Sequence, residues 1–368
     1  MRIPHRSVAL AVLAGTGLAA VTGVGSAAAS PATAAPPHIT QLPGDYITPL
    51  QFAVDGHKVY VADGARSALF RLGDPNPIAT GPAPSENPEA SGDLAGVAAR
   101  DGRIAYTTTE ADHRNTYLTV LSHGKKVLTA NLGAYERRVN PDRHVTYGVT
   151  KPWKASATCK AQLAGGEQPV PLSYKGLKDS HPYAVAGLPD GSWLVADAGG
   201  NDILRVSKHG RISTVAVLPS QPVKLTPALA AELKVPACAG LTYRFEAVPT
   251  DVEYRNGRIY ATTLPGGAGG LGSVYKVGWG GSTSRIATGF PAATNLAVSP
   301  SGRIFVVELG VGIFTPGAHG PKLVVALKGA AAVEWANGRL YASTAPAAAS
   351  EGAPPAGPPT PGHIYRIG

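Results

Sequence analysis

Cysteine and charge are both scarce in this chain. Only two of its 368 residues are cysteine, Cys159 and Cys238, and neither lies in a Cys-x-x-Cys pair or beside a suitably spaced histidine. That argues against a structural zinc site, which draws several Cys or His ligands from short spacings. Charged residues make up 15% and aromatics 7%, a balance that fits neither a helical chain nor a disordered one. Catalytic signatures are missing as well. There is no G-x-S-x-G elbow, no H-E-x-x-H and no phosphate-binding loop. The glycine-rich run at 266–272 lacks the Lys-Ser/Thr that a P-loop requires and reads as a flexible loop.

Glycine and proline, by contrast, are plentiful, at 45 and 33 residues, and apolar content is 44%. Such a chain suits many short strands joined by tight turns. Residues 181–219 show the unit most clearly, as HPYAVAGLPDG, SWLVADAGG, NDILRVSKHG and RISTVAVLP. Asp190-Gly191, Gly199-Gly200-Asn201 and His209-Gly210 punctuate it as hairpin turns. Four antiparallel strands in about 40 residues make one propeller blade. A lone blade exposes both faces, so neighbours are required. Similar patterns occupy 48–82, 93–133, 248–290, 293–329 and 330–368. The last has only three strands, while the segment 38–44 has no partner of its own. Placing that segment on the outside of the last blade closes the ring and removes an open edge. The expected fold is therefore all-β: a six-bladed propeller over residues 35–368.

Residues 1–34 read as a signal peptide. Arg2 and Arg6 precede an apolar stretch at 7–24, and small residues follow at 27–29 and 32–34. A secreted, extracellular chain without a membrane anchor is expected. Cleavage removes two arginines and no acid, taking the formal charge from +9 to about +7. Export also favours a Cys159–Cys238 disulfide, with a metal pair or a reactive thiol as the weaker alternatives.

All the long excursions fall on one end of the ring. They are the insertions at 134–178 and 220–247 and the loops at 266–271 and 345–361; the opposite end carries short hairpins. The insertion at 220–247 contains a helix pattern at 225–235, with Thr226 as cap and Pro227 in the first turn. The insertion at 134–178 holds eight Lys/Arg against three acids, a net of +5. Loops on a rigid scaffold carry function, and this charge points to an anionic partner such as an acidic glycan, a wall polymer or an extracellular protein. A merely solvated loop is the competing reading. Nothing suggests nucleic acid, since no recognition helix or aromatic platform accompanies the charge. A monomer is expected.

Candidate site residues come from aligning the first strands, which line a propeller's channel. One position reads Gln51, Gly96, Ala184, Asp251, Asn295 and Ala332; two residues on, Glu253 and Glu334 replace alanine. Gln51, Asp251, Glu253, Asn295 and Glu334 are thus expected to form a polar floor for a ligand. Ca²⁺ is the ion that such an oxygen cluster would take, although no metal ligand is assigned. A water-filled channel competes with this reading. His181 and Tyr183 stand at the channel mouth as candidate ligand contacts. Asp63, Asp197 and Glu308 end second strands, and the Asp residues of VADG and VADAGGN, Asp63 and Asp197, read as turn caps.

The runs DSHPYAVAGLPDGSWLVADAGGNDILRV, CAGLTYRFEAVPTDVEY and NPDRHVTYGVT resemble the ScyD/ScyE family, exported NHL-like six-bladed propellers. The resemblance covers nearly the whole chain after residue 34. It implies fold, export and the paired insertions, but no reaction, cofactor or catalytic residue. The chain departs from the usual repeat at RIAYTTTEADHRN and in the Pro/Ala-rich loop of the last blade. The functional expectation is a secreted binding or scaffold module acting through its loop-rich face. The alternative is a lactonase-like hydrolase with a divalent metal in the channel.

Overall fold

A computed structural model describes residues 37–83, 92–165, 171–265, 271–346 and 361–368. The expected signal peptide lies outside the described residues, as do most of the loops at 266–271 and 345–361.

The chain opens with strand β1 (Ile39–Gln41). Sheet one is β2 (Pro49–Asp55), β3 (Lys58–Asp63), β4 (Ala68–Arg71) and β5 (Pro77–Thr80). Sheet two is β6 (Asp93–Arg100), β7 (Arg103–Thr109), β8 (Thr116–Ser122) and β9 (Lys125–Asn131). The first insertion then runs through α1 (Leu132–Val139), β10 (Thr146–Val149), α2 (Ala157–Gly165) and β11 (Ser173–Lys175). Sheet three is β12 (Pro182–Gly187), β13 (Trp193–Asp197), β14 (Asp202–Val206) and β15 (Ile212–Val217). The second insertion holds β16 (Gln221–Lys224), α3 (Pro227–Glu232) and β17 (Thr242–Phe245). Sheet four is β18 (Pro249–Arg255) to β21 (Thr283–Phe290), with β19 (Arg258–Thr263) and β20 (Gly272–Val277) between. Sheet five is β22 (Ala293–Val298), β23 (Ile304–Glu308), β24 (Gly312–Thr315) and β25 (Lys322–Ala326). Sheet six has β26 (Ala330–Ala336), β27 (Arg339–Thr344) and β28 (Ile364–Ile367), and β1 completes it.

Each of these six sheets is antiparallel, and their first strands touch in succession from β2 through β26 and back to β2. The closure is the expected one: Ile39, Thr40 and Gln41 pair with Ile367, Arg366 and Tyr365. Apolar clusters fill the gaps between neighbouring sheets. Leu118, Val120, Val195 and Leu204 join sheets two and three; Ala196, Ile203, Val252 and Ala261 join three and four. Both faces of the inner strands are buried in this way, so strands such as β13 read as near-continuous apolar runs, while the outer fourth strands are largely exposed. The hairpins Asp101-Gly102, Asn256-Gly257 and Asn337-Gly338 have both residues at positive φ, the conformation a tight two-residue β turn demands.

The seventh sheet lies within the insertions. Its order is β11-β10-β17-β16, so strands from both insertions interleave, with β10 pairing β17 at Gly148↔Arg244 and Val149↔Tyr243. Cys159 and Cys238 are bonded beneath it. Val149, Leu163, Leu225, Ala230, Tyr243 and Phe245 form its core, with Leu271, just before β20, packed against them. The insertions are therefore one folded cap. The helix expected at 225–235 is shorter, Pro227–Glu232, because Lys234 turns to positive φ; Thr226 caps it through Leu229 N–H at 3.2 Å.

The candidate site at the capped channel mouth

Every first strand carries a bulge at the same place, opposite the end of its second strand. The register shifts between Pro49 and Gln51, Leu94 and Val97, Pro182 and Ala184, Pro249 and Asp251, Ala293 and Asn295, and Ala330 and Ala332. A bulge leaves backbone groups unpaired and re-aims a side chain. Hydroxyls of the preceding sheet satisfy the freed carbonyls: Thr107 donates to Pro182 O at 2.7 Å, Thr250 to Ala293 O at 2.8 Å and Ser343 to Pro49 O at 2.7 Å.

The expected polar floor divides in two. Asp251 is spent on backbone, its two oxygens accepting Val252 N–H and Leu296 N–H, each at 2.8 Å. Asn295 Oδ1 accepts Val333 N–H at 2.7 Å, and its amide donates to Gln51 Oε1 across the channel at 3.0 Å. These three are buried staples between first strands. Glu253 and Glu334 stand further along, half-buried, near Arg255, whose guanidinium donates to Val298 O and Trp335 O. Burial pushes Glu253 up to about 7 against the pull of Arg255. Burial and then the charges of Glu253 and Asp251 push Glu334 well above the usual carboxylate range.

The mouth itself is richer than expected. His181 Nε2 meets Asp93 Oδ2 at 2.7 Å, and His113 Nδ1 meets Asp179 Oδ1 at 2.9 Å. The two rings lie 4.9 Å apart, and Tyr183 stands edge-on to His181 at 6.2 Å. Burial alone would lower His181; the Asp93 carboxylate and its hydrogen bond, with Asp179 and Asp197, outweigh it and hold the imidazole up to about 9. Asp93 feels burial in the opposite sense, yet His181 and His113 keep it below its usual range. At neutral pH the pair is an ion pair of imidazolium and carboxylate. Tyr183 is the bulge residue of β12 and packs with Leu50, Ala95, Ala198 and Val248. Its phenol is raised by burial and then by Asp93 and Asp251.

Asp197 caps its turn, whereas Asp63 makes no side-chain cap bond to the short helix that follows it and Glu308 bonds elsewhere. Asp63 accepts from Ile47 and Thr48 N–H, and Glu308 from Ala292 N–H. Asp197 accepts from Gly200 N–H, and also from Ser180 Oγ and His181 N–H at 2.6 Å each. Each clamps the segment that enters its own sheet. Asp197 thereby fixes the backbone of His181. His113, Asp93 and Asp179 escaped the sequence reading because they come from a turn, a strand start and an insertion end. Their only sequence sign is the departure at RIAYTTTEADHRN, which contains His113.

The cap presents a basic surface. Lys151, Trp153, Lys154 and Lys160 are exposed, Trp153 by 76%. Two of the three acids counted against them, Glu136 and Asp142, are buried, so the outward face is more basic than the sequence count implies. Among the described residues no helix is long and apolar enough to cross a membrane.

No protein-family model and no curated protein matches this chain. Solved structures do. A putative oxidoreductase (glucose dehydrogenase) from Thermus thermophilus is 16% identical, with TM-score 0.51, covering 90% of this chain and 99% of that one. The PQQ-bound aldose sugar dehydrogenase from Streptomyces coelicolor is 14% identical, with TM-score 0.51, covering 91% and 99%. Virginiamycin B lyase from Staphylococcus aureus is 13% identical, with TM-score 0.44, covering 83% and 80%. Identities this low carry fold and nothing of activity: the chain shares the all-β propeller architecture of these dehydrogenases.

Proposed function

We propose that this chain is an exported six-bladed propeller, of the ScyD/ScyE type its sequence resembles, that binds an anionic sugar polymer on its capped face. The observation that carries the reading is the exposed Lys151-Pro152-Trp153-Lys154 turn on a cap pinned by a disulfide. A flat exposed indole stacks on the apolar face of a sugar ring, while flanking ammonium groups meet its acidic substituents. The disulfide supports export, because such bonds persist in oxidising compartments. The channel serves this reading as a rigid pedestal, since Asp251, Asn295 and Gln51 are bonded to one another or to backbone.

The test compares binding of an acidic polysaccharide with its uncharged counterpart, using immobilised polymer. The acidic polymer should bind and the neutral one should not. Trp153→Ala should weaken binding roughly 5–30-fold, as expected for losing 1–2 kcal/mol at an interface anchor. Equal binding of both polymers, or no effect of Trp153→Ala, overturns the reading.

A further inference from the structure

Where the cap meets sheet three lies a second group of acids that neither the channel nor the sugar-binding face uses. Glu136 sits on α1, Asn140 at its C-terminal cap and Asp142 two residues on; Asn201 lies in the turn before β14 and Asp202 begins that strand. Their exposures are 2, 8, 0, 1 and 0%. Six of their oxygens lack any hydrogen-bond partner: Glu136 Oε1, Asn140 Oδ1, Asp142 Oδ1, Asn201 Oδ1 and both carboxylate oxygens of Asp202. Buried acceptors in folded proteins are nearly always satisfied, and a buried carboxylate with neither oxygen paired is costly.

Close contacts link these groups pairwise into one chain. A side chain added at Gly200 would meet Glu136 Oε2 at 3.4 Å and Asp202 Oδ1 at 3.5 Å. Asn201 Nδ2 donates to Asp142 Oδ2 at 3.2 Å, and the Tyr147 hydroxyl donates to the same oxygen at 3.0 Å. Asn140 Nδ2 donates to Gly176 O at 3.1 Å, and Gly176 itself abuts Asp142 Oδ1. Both asparagines thus turn their N–H₂ groups to protein and leave their carbonyl oxygens free. That orientation offers two neutral carbonyl oxygens beside the acids.

We propose that Glu136, Asn140, Asp142, Asn201 and Asp202 bind a Ca²⁺ ion between the cap and sheet three. The donors are all hard oxygens, and Ca²⁺ takes six to eight of them in flexible geometry. The absence of imidazole and thiolate donors from the set disfavours zinc-class ions. Three carboxylates from two separate segments otherwise repel one another. Burial first, then Asp197 and Asp142, push Glu136 up to about 9, with Lys178 offsetting part of the penalty. Among the described residues no three His, Cys, Asp or Glu side chains already stand at metal-ligand spacing. Binding would require Glu136, Asp142 and Asp202 to close together around the ion, with the two asparagine carbonyls completing the set. Its mechanical consequence follows from the same turn: Asp197, four residues before Asn201, holds Ser180 and His181. The site is independent of the sugar-binding reading.

The test is calorimetric titration of the chain with CaCl₂ after exhaustive chelation, with melting followed in parallel. One Ca²⁺ per chain should bind and raise the melting temperature, and MgCl₂ should shift it less. Asp202→Asn and Glu136→Gln should weaken binding by at least about 10–100-fold. Both remove a repelled charge, so each should melt no lower than the chelated wild type. Asn201→Ala removes a donor without altering charge and should weaken binding as well. Glu334→Gln, in the channel, should retain the single site. No heat and no melting shift at millimolar CaCl₂ would overturn the proposal. So would an Asp202→Asn protein that binds Ca²⁺ as the wild type does.

Discussion

Two residues, His181 and Asp93, show how much chemistry a strand start can hold. His181 is held up to about 9, so the folded chain keeps its proton where the unfolded chain, near 6.5, has lost it. That contribution to stability is full below about pH 6.5 and disappears as pH rises through about 9. Asp93 is lowered, and its contribution disappears on the acid side as pH falls through its folded value. Asp93→Asn should therefore destabilise by about 2 kcal/mol near pH 6, the range for a hydrogen bond to a charged group. The difference from wild type should shrink by pH 10; a constant difference across denaturant melts at both pH values would contradict the assignment. Asp251→Ala makes a second case. It orphans Val252 and Leu296 N–H in the wall and should cost roughly 2–4 kcal/mol, with Asp251→Asn costing less. The sequence placed Asp251, Asn295 and Gln51 in the channel wall but gave them to a ligand. What it hid was the bulge, which turns those side chains along the wall toward the next strand.

At the level of elements, local signals were legible and distant pairings were not. Turn pairs such as Asn256-Gly257 mark their hairpins outright, because few residues tolerate positive φ. The unpartnered segment 38–44 and the three-stranded last repeat together announced β1 on β28. Deleting residues 35–46 should then bare the β28 edge and cause aggregation, seen as loss of the monomer peak in size-exclusion chromatography. A monomeric deletion with unchanged melting would refute that role. The cap sheet had no such sign. Its strands are three or four residues long, and its central pair, β10 with β17, joins residues about 95 apart in the chain. α1 was missed because Gly133 and a β-branched end give it little propensity; its hold comes from Tyr135, whose hydroxyl bonds Thr214 at 2.9 Å. The cysteines indicated only that the two insertions meet. A Cys159→Ser/Cys238→Ser chain should lose up to about 4.5 kcal/mol, the chain-entropy figure for a loop of this length. The loss should appear as early proteolysis within 140–178 while the ring resists; uniform cleavage would mean that cap and ring melt as one unit.

For the whole molecule the two ends of the ring differ in kind. One end carries short hairpins, with Trp279 half-exposed over Arg205. The other carries the cap, its lysines and Trp153. Screening at physiological salt reaches about 8 Å, so clustered lysines on one cap act together where scattered ones would not. Composition alone gave the net charge and its concentration in one insertion. It could not show that Glu136 and Asp142 are turned inward, which concentrates the positive field outward. The two tryptophans provide an internal comparison for the central claim that the capped face is the working surface. Oxidative footprinting of the chain with and without a bound acidic polysaccharide measures both at once. Trp153 should be protected and Trp279 should oxidise at its free rate; protection of Trp279 with Trp153 unchanged would place the binding surface at the opposite end of the ring.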